Sequence, residues 1–344
     1  MISLVIPTTS SNKNYTNNLI KNIREIYPNE NEVEIILEEN DTTALGINFN
    51  NAVAKANGNK IILLHNDMVI KPGFIETMEK HICKNRITSY TRIEPPIYND
   101  IYPGKVILDC GRDLDNFDKE KFYNYNLETS LIDGGSQLFF GCLKEDYIGL
   151  DGNTFKMFCE DDDLHLRYKL AGFEHKVSSA HVYHFVSKTS RTTKDYQQIE
   201  LNSNRNFIRK WGNRSPKVKY NIAYVVKKCN SQLLGILEPW CDRIYIEDDM
   251  YVLIDLYIEQ EQPNTSSNLT KRVLHIKHNY PEGENDIVVE FDATQLTQQS
   301  FQLLQQLPDI IKESGEVGVF ELEIFKIKIQ NIWEYQNDLV YLEK

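Results

Sequence analysis

The chain has 344 residues, of which 41% are hydrophobic, 26% charged and 11% aromatic, and its 38 basic and 50 acidic residues leave a net charge of −12. This composition excludes collagen-like, coiled-coil and wholly disordered chains, and its length suits two domains, each with its own core. The acidity leaves no basic footprint for nucleic acid, although a cation held by carboxylates can still carry a nucleotide's phosphates.

The first 70 residues read as βαβαβ. Ile2–Ile6 is a short apolar run closed by Pro7, as in a buried parallel strand, and Thr8–Asn14 is a polar loop. Leu19, Ile20, Ile23 and Ile26 recur at helical spacing until Tyr27-Pro28 stops the helix. Val33–Leu37 is a second strand. Phe49, Ala52, Val53 and Ala56 define an amphipathic helix over 44–57, with Gly58 expected just past its end. Ile61–Leu64 is a third strand, followed at once by His65-Asn66-Asp67. Strands alternating with helices predict a parallel sheet with right-handed crossovers.

Residues 85–130 read as loop-rich, with short antiparallel strands around Val106–Asp109. Leu138–Cys142 is apolar, and 144–149 suits a short helix. A helix over 160–171 places Leu164, Tyr168 and Ala171 on one face and ends at Gly172. Val177–His184 is a strand, and a helix over 195–211 ends near Trp211-Gly212. The character changes after Asn213, so a boundary is placed near 214. Beyond it, 217–226 and 244–258 read as strands and 259–270 as a polar connection. Ile287–Phe291, a helix over 295–313 and Val317–Ile329 complete a strand–helix–strand pattern in a smaller α+β domain.

No apolar stretch approaches the ~18 residues that span a bilayer. The opening seven residues, Met1 to Pro7, lack the basic and apolar regions of a signal peptide. The six cysteines form no Cys-x-x-Cys pair and are read as reduced thiols of a cytoplasmic protein.

Three groups of residues could carry chemistry. His65-Asn66-Asp67 follows a parallel strand, where open α/β sheets bind ligands, and Pro7-Thr8 and Glu38-Glu39 end neighbouring strands on the same rim. Glu160-Asp161-Asp162-Asp163 opens a helix. Its acids compensate the helix dipole, Asp163 and Arg167 form a weak i,i+4 pair on a solvated face, and one crowded carboxylate could act as a general base. His184 ends a strand and gains meaning if the fold brings it to Asp67, because Asp and His together suit Mn²⁺ or Mg²⁺. His181 and His175 do not end that strand. His275 and His278 lack a third ligand nearby, and Glu247-Asp248-Asp249 reads as an acidic turn.

In order and spacing, these segments resemble the inverting family 2 glycosyltransferases of GT-A fold over residues 1–213. Ile2–Thr8 is similar to the opening strand of that family. Glu38 stands where its second strand ends in Asp. Asn50 and Ala54–Gly58 resemble its second helix, and His65-Asn66-Asp67 occupies the place of its Asp-x-Asp motif. Lys71-Pro72-Gly73-Phe74, then Glu160-Asp161-x-Asp163-Leu164-x-x-Arg167 with Ala171-Gly172-Phe173, Tyr183-His184, and Asn206-Phe207 to Lys210-Trp211-Gly212 follow as they do in the family.

The resemblance implies a Rossmann-like, mostly parallel sheet flanked by helices and metal-dependent transfer from a nucleotide-sugar, UDP-linked by family weight, with inversion. Pro7, Thr8, Glu38, Asn50, His65 and Asn66 would bind the donor. Asp67 and His184 would hold Mn²⁺ or Mg²⁺. Asp161 would deprotonate the acceptor hydroxyl, with Glu160 as the alternative base. The acceptor would be a glycan, a lipid-linked intermediate or a protein. His65 and Asn66 depart from the acidic pattern and leave Asp67 as the one carboxylate of that motif. Two other readings compete: a glycoside hydrolase, which also uses paired acids, and a degenerate transferase serving as a binding scaffold. Residues 214–344 resemble no family and would serve acceptor docking or self-association.

Overall fold

The computed structural model describes all residues except 42–43, 136–137, 187, 189–193, 214–217, 248–250, 277–283 and 343–344. The boundary read near 214, the acidic pair Asp248-Asp249 and His278 fall on undescribed residues. The chain divides into two compact units, Met1–Ile199 together with Leu342, and Glu200–Tyr341.

The first unit contains β1 (Ile2–Thr8), α1 (Lys13–Ile26), β2 (Val33–Glu39), α2 (Leu45–Lys55), β3 (Lys60–Leu63), β4 (Met68–Ile70), α3 (Phe74–His81), β5 (Arg86–Glu94), β6 (Lys105–Ile107), α4 (Lys119–Asn124), β7 (Leu131–Asp133), β8 (Phe140–Leu143), α5 (Glu160–Leu170) and β9 (Glu174–His184). The path through its sheet runs β2-β1-β3-β8-β5-β9-β4, with β6 beside β5 and β7 beside β9. The expected βαβαβ opening is present. β1 lies parallel to both β2 and β3, so all three strands end on one rim. Leu4 and Ile6 point to one side of β1 with Leu19, Ile23 and Ile62. Val5 points to the other with Phe49, Ala52 and Ile61. Both faces are therefore covered, as a parallel strand requires.

Three sequence expectations change in this unit. Residues 86–94, read as loop, form β5 inside the sheet, between β8 and β9, and all its residues after Arg86 are buried. The strand near Val106 lies parallel to β5, not antiparallel. Gly58 does not cap α2, which closes at Ala56 in extended backbone. Glycine is needed at 58 because a Cβ there would lie 2.6 Å from Ser3 Oγ and 2.9 Å from the Ser3 backbone nitrogen. Gly172 does follow α5 with φ +79, as expected. The turn at 144–146 is a 3₁₀ helix.

Strand β9 carries an irregularity. Tyr90 pairs with Ser178 but Thr91 pairs with His181, so Ser179 and Ala180 are extra residues on β9. Thr91 Oγ1 donates to Ser178 O at 2.9 Å, and Ser130 N donates to Ser179 Oγ at 3.1 Å, which fixes the bulge in place.

Helix α6 (Tyr196–Trp211) contains the division between the units. The second unit then holds β10 (Ile222–Lys227), α7 (Ser231–Leu237), β11 (Arg243–Glu247), α8 (Tyr251–Glu261), α9 (Leu269–Arg272), β12 (Val273–His275), β13 (Ile287–Asp292), α10 (Gln298–Ser314), β14 (Gly318–Leu322) and β15 (Phe325–Ile329). Its mixed sheet has the order β12-β11-β10-β13-β15-β14. The first four strands are parallel and the final hairpin is antiparallel. Residues 251–258, read as strand, are helical. Ile254 and Tyr257, three apart, pack into the core while Val252 and Leu256 stay exposed. Val317–Ile329 is a hairpin of two strands. Helix α10 starts with a capping box between Thr297 and Ser300.

Inside this unit Glu238 is fully buried. It accepts from Arg209 at 2.7 Å, Arg272 at 2.8 Å and Tyr257 at 3.0 Å. Burial raises the pKa of its carboxyl, but the arginines overcompensate and bring it down to about 2. Among the described residues, no helix of either unit is long and apolar enough to cross a membrane.

Candidate active site

A cleft of about 560 Å³ opens at the carboxyl ends of β1 and β3. Its lining includes Pro7, Thr8, Asn40, Asp41, His65, Asn66 and Asp67, together with Arg92, Glu94, Phe139, Glu160 and His184. Its position follows from the strand order, because parallel strands that end together leave a crevice there. Its size is typical of small-molecule sites.

Antiparallel pairing of β4 with β9 sets Met68 against His184, which puts Asp67 beside the histidine. Phe185 N donates to Asp67 O at 3.0 Å, and His184 Nε2 lies 3.4 Å from Asp67 Oδ1. On the other side of the ring, Nδ1 is 2.8 Å from Glu94 Oε1. Burial disfavours a charged His184, but Asp67 and Glu94 outweigh it and lift its pKa to about 9. The Asp67 carboxyl is pushed up by burial yet brought down to about 2 by His184 and His65. Burial also lowers His65, to about 4, so that ring is neutral. His65, Asp67 and His184 each offer one ligand atom, all within 4.8 Å of one another. A buried carboxylate with imidazole nitrogens is a donor set that fits a divalent cation.

Glu94 and Arg92 come from β5, the strand read as loop, and were missed for that reason. Arg92 Nη1 lies 3.1 Å from Glu94 Oε1, and its guanidinium stacks 4.1 Å from the Phe139 ring centroid. It also donates to Tyr102. Lys105 lies 3.5 Å from Glu94 and 3.0 Å from Asp100. The signal available in the sequence was the run of β-branched residues Ile87, Thr88, Thr91 and Ile93.

The acidic run at 160–163 opens α5. Phe158 and Cys159, just before it, have φ +67 and +65, which turns the chain sharply into the helix. Glu160 lines the cleft, and its Oε2 is buried without a hydrogen-bond partner among the described residues. Burial, then Asp161, raises its pKa to about 8. Asp161 is half-buried and accepts from Asp162 N at 2.9 Å. Burial and Asp162 raise it to about 6, and Arg92 pulls the other way. Asp161 does not line the cleft; it borders a smaller cavity beside His165 and His175, whose rings meet edge-on with centroids 4.2 Å apart. Asp163 does not sit on a solvated face. It pairs with Arg167 at 2.8 Å, both side chains are fully buried, and Arg167 also donates to Gly149 O at 2.7 Å. Removing one partner from such a pair typically costs about 3–5 kcal/mol.

Two proposed donor-binding residues stand elsewhere. Glu38 turns to Lys55 and Asn51 of α2 and does not line the cleft, because alternation along β2 directs it there. Asn40 and Asp41 reach the cleft instead, and Ser10 N donates to Asp41 at 2.7 Å. Asn50 is taken up by structure. It accepts from Leu150 N at 2.9 Å and Tyr147 Oη at 2.8 Å, and donates to Leu150 O at 2.8 Å. Asn66 does line the cleft but also donates to Thr8 Oγ1 at 3.2 Å. His181 contacts backbone carbonyls of Ser179 and Tyr125.

With this geometry in hand, comparisons with known proteins place the first unit. Residues 5–140 match the family model described as Glycosyl transferase family 2. This match spans less than half of the chain and falls within the α/β sheet of the first unit. The match ends before α5 and β9. No curated protein matches the chain. Similar solved structures include TarS 1–349 of S. aureus, with 12% identity over 60% of this chain and 65% of that one and a TM-score of 0.40. The same protein in complex with UDP aligns with 12% identity over 60% of this chain and 69% of that one, at TM-score 0.37. Its complex with UDP-GlcNAc aligns with 11% identity over 60% and 66%, at TM-score 0.38.

Proposed function

We propose that this chain is a metal-dependent, inverting glycosyltransferase that moves a sugar from a nucleotide-sugar, UDP-linked by family weight, to an acceptor hydroxyl. The observation that carries this reading is the convergence on one cleft of two features. A cation-binding cluster at Asp67 and His184 shares the cleft with Glu160, whose carboxyl and that of the adjacent Asp161 both have raised pKa values.

Pro7, Thr8 and Asn66 border the rim where the nucleoside would lie, with Asp41 in place of Glu38 as the acceptor for a base N–H. Asp67 and His184 would hold Mn²⁺ or Mg²⁺, which when bound neutralises charge developing on the diphosphate leaving group. Glu94 fixes the orientation of the His184 ring through Nδ1. Asp161, ionised at neutral pH, takes the proton of the acceptor hydroxyl. Glu160 stays protonated and presents an O–H to the cleft, so that two adjacent carboxyls serve two roles. Attack opposite the leaving group in a single displacement inverts the anomeric centre.

The test is a screen of UDP-, GDP-, CDP- and dTDP-sugars for nucleotide release, with and without chelator, and with the product anomer read by NMR. Chelator-sensitive turnover with an inverted anomer is expected. Turnover indifferent to chelator, or cleavage of simple glycosides without any nucleotide, would overturn the reading.

A further inference from the structure

His65 stands where the family resemblance leads one to expect an acidic residue, yet the fold does not retire it. Its ring lies 4.8 Å from that of Phe139 and 6.2 Å, edge-on, from that of His184. Its Nε2 is buried and has no hydrogen-bond partner among the described residues. A buried nitrogen left in that state costs about 1–3 kcal/mol, so it calls for a ligand. One donor atom of His65 falls within 4.8 Å of donors from both Asp67 and His184. His184 Nε2 and Asp67 Oδ1, at 3.4 Å, already have about the spacing of two donors on one first-row cation. Glu94 occupies the Nδ1 side of His184, which leaves Nε2 as the ring nitrogen that faces Asp67 and this cluster.

We propose that the cation of this cleft is held by a two-histidine, one-carboxylate set, His65, Asp67 and His184, and that the site therefore selects a first-row transition cation such as Zn²⁺, Co²⁺ or Mn²⁺ over Mg²⁺. This rests on the reading of the cleft as a cation-assisted transfer site and supplies that site's ligand set. The selectivity follows from donor chemistry. Imidazole nitrogen suits transition metals, whereas Mg²⁺ is a hard ion that keeps oxygen ligands and its own waters. The substitution of His65 for an acid thus changes the metal preference and keeps the site.

The experiment uses the full chain stripped by chelator, titrated with Mn²⁺ alone and with Mn²⁺ plus UDP. Pulsed EPR counts the nitrogen couplings to bound Mn²⁺. Two imidazole couplings are expected in the wild type and one in His65→Ala, with affinity for Mn²⁺ falling at least ~10–100-fold. A ~100-fold excess of Mg²⁺ should leave the wild-type complex in place but displace Mn²⁺ from His65→Asp. A single imidazole coupling in the wild type, no bound Mn²⁺ under either condition, or equal displacement by Mg²⁺ from wild type and His65→Asp overturns the proposal. The wild-type count does not depend on whether a variant folds. Two couplings without turnover of any nucleotide-sugar would overturn the transfer reading and leave the ligand set standing. Turnover with one coupling does the reverse.

Discussion

The division of labour between Glu160 and Asp161 is open to a paired perturbation, Asp161→Asn against Glu160→Gln. Burial raises both carboxyls, Glu160 further than Asp161, so as the pH rises Asp161 is the first to ionise and Glu160 the one that keeps its proton. Asparagine removes the only form of residue 161 that accepts a proton. Loss of a positioned base is worth about 10²–10⁴ in rate, or about 2.7–5.5 kcal/mol of transition-state free energy. Glutamine at 160 is nearly isosteric with the neutral acid and retains a donor, so its loss should stay within about tenfold.

The pH profile gives the sign. Activity in the wild type should fall below about pH 6, as Asp161 takes up a proton, and above about pH 8, as Glu160 loses one. Glu160→Gln should abolish the alkaline limb and leave the acid one in place, because Glu160 is already neutral where Asp161 titrates. The assay is steady-state nucleotide release with the donor found by the screen, with calorimetric UDP binding as the control for an intact cleft. If Glu160→Gln loses more than ~100-fold and Asp161→Asn stays within tenfold, the roles are reversed and the assignment fails.

Further outcomes follow from other contacts. Glu94→Gln should weaken the hold on His184 and lower Mn²⁺ affinity about 10–100-fold, read by EPR titration. Unchanged affinity would show that the His184–Glu94 contact does not orient the ring. Glu238→Ala leaves Arg209 and Arg272 without their shared carboxylate and should destabilise the second unit by about 3–5 kcal/mol in urea unfolding. A change below 1 kcal/mol would refute that estimate. Gly58→Ala forces a Cβ against the backbone of Ser3 and should lower the melting temperature, with a cost of about 1–3 kcal/mol. A wild-type melting curve would contradict the close approach.

The parts of the fold legible in the sequence are those with strong local patterns. Ile2–Ile6, Leu19 to Ile26 and Phe49 to Ala56 each carry a period that survives burial on both faces, and the order of strands and helices then places their ends on one rim. Strand β5 was hidden because its polar residues, Arg92 and Glu94 among them, are buried, and the groups that cover them include the distant Phe139 and His184. Residues 251–258 misled for another reason. The apolar positions of 244–258 read as alternating, which holds for the strand at its start but not for the nearly continuous apolar run of the helix that follows. In the site, His65, Asp67, His184 and Glu160 were identifiable from their positions at element ends. The orientations of Glu38 and Asn50 were not, because side-chain direction depends on the tertiary packing around them.

The bulge in β9 governs the alignment of the whole cleft. Paired one-for-one beyond Ser178, the strand would set Thr91 against Ser179, and His184 would stand two positions, or ~6.6 Å, beyond Glu94. Two residues are an even insertion, so every side chain on β9 keeps its face and the core is unaffected. The extra pair acts as a length standard. It shortens the path of β9 by two steps relative to β5, so that a histidine on one strand and a carboxylate on the other arrive at the rim together.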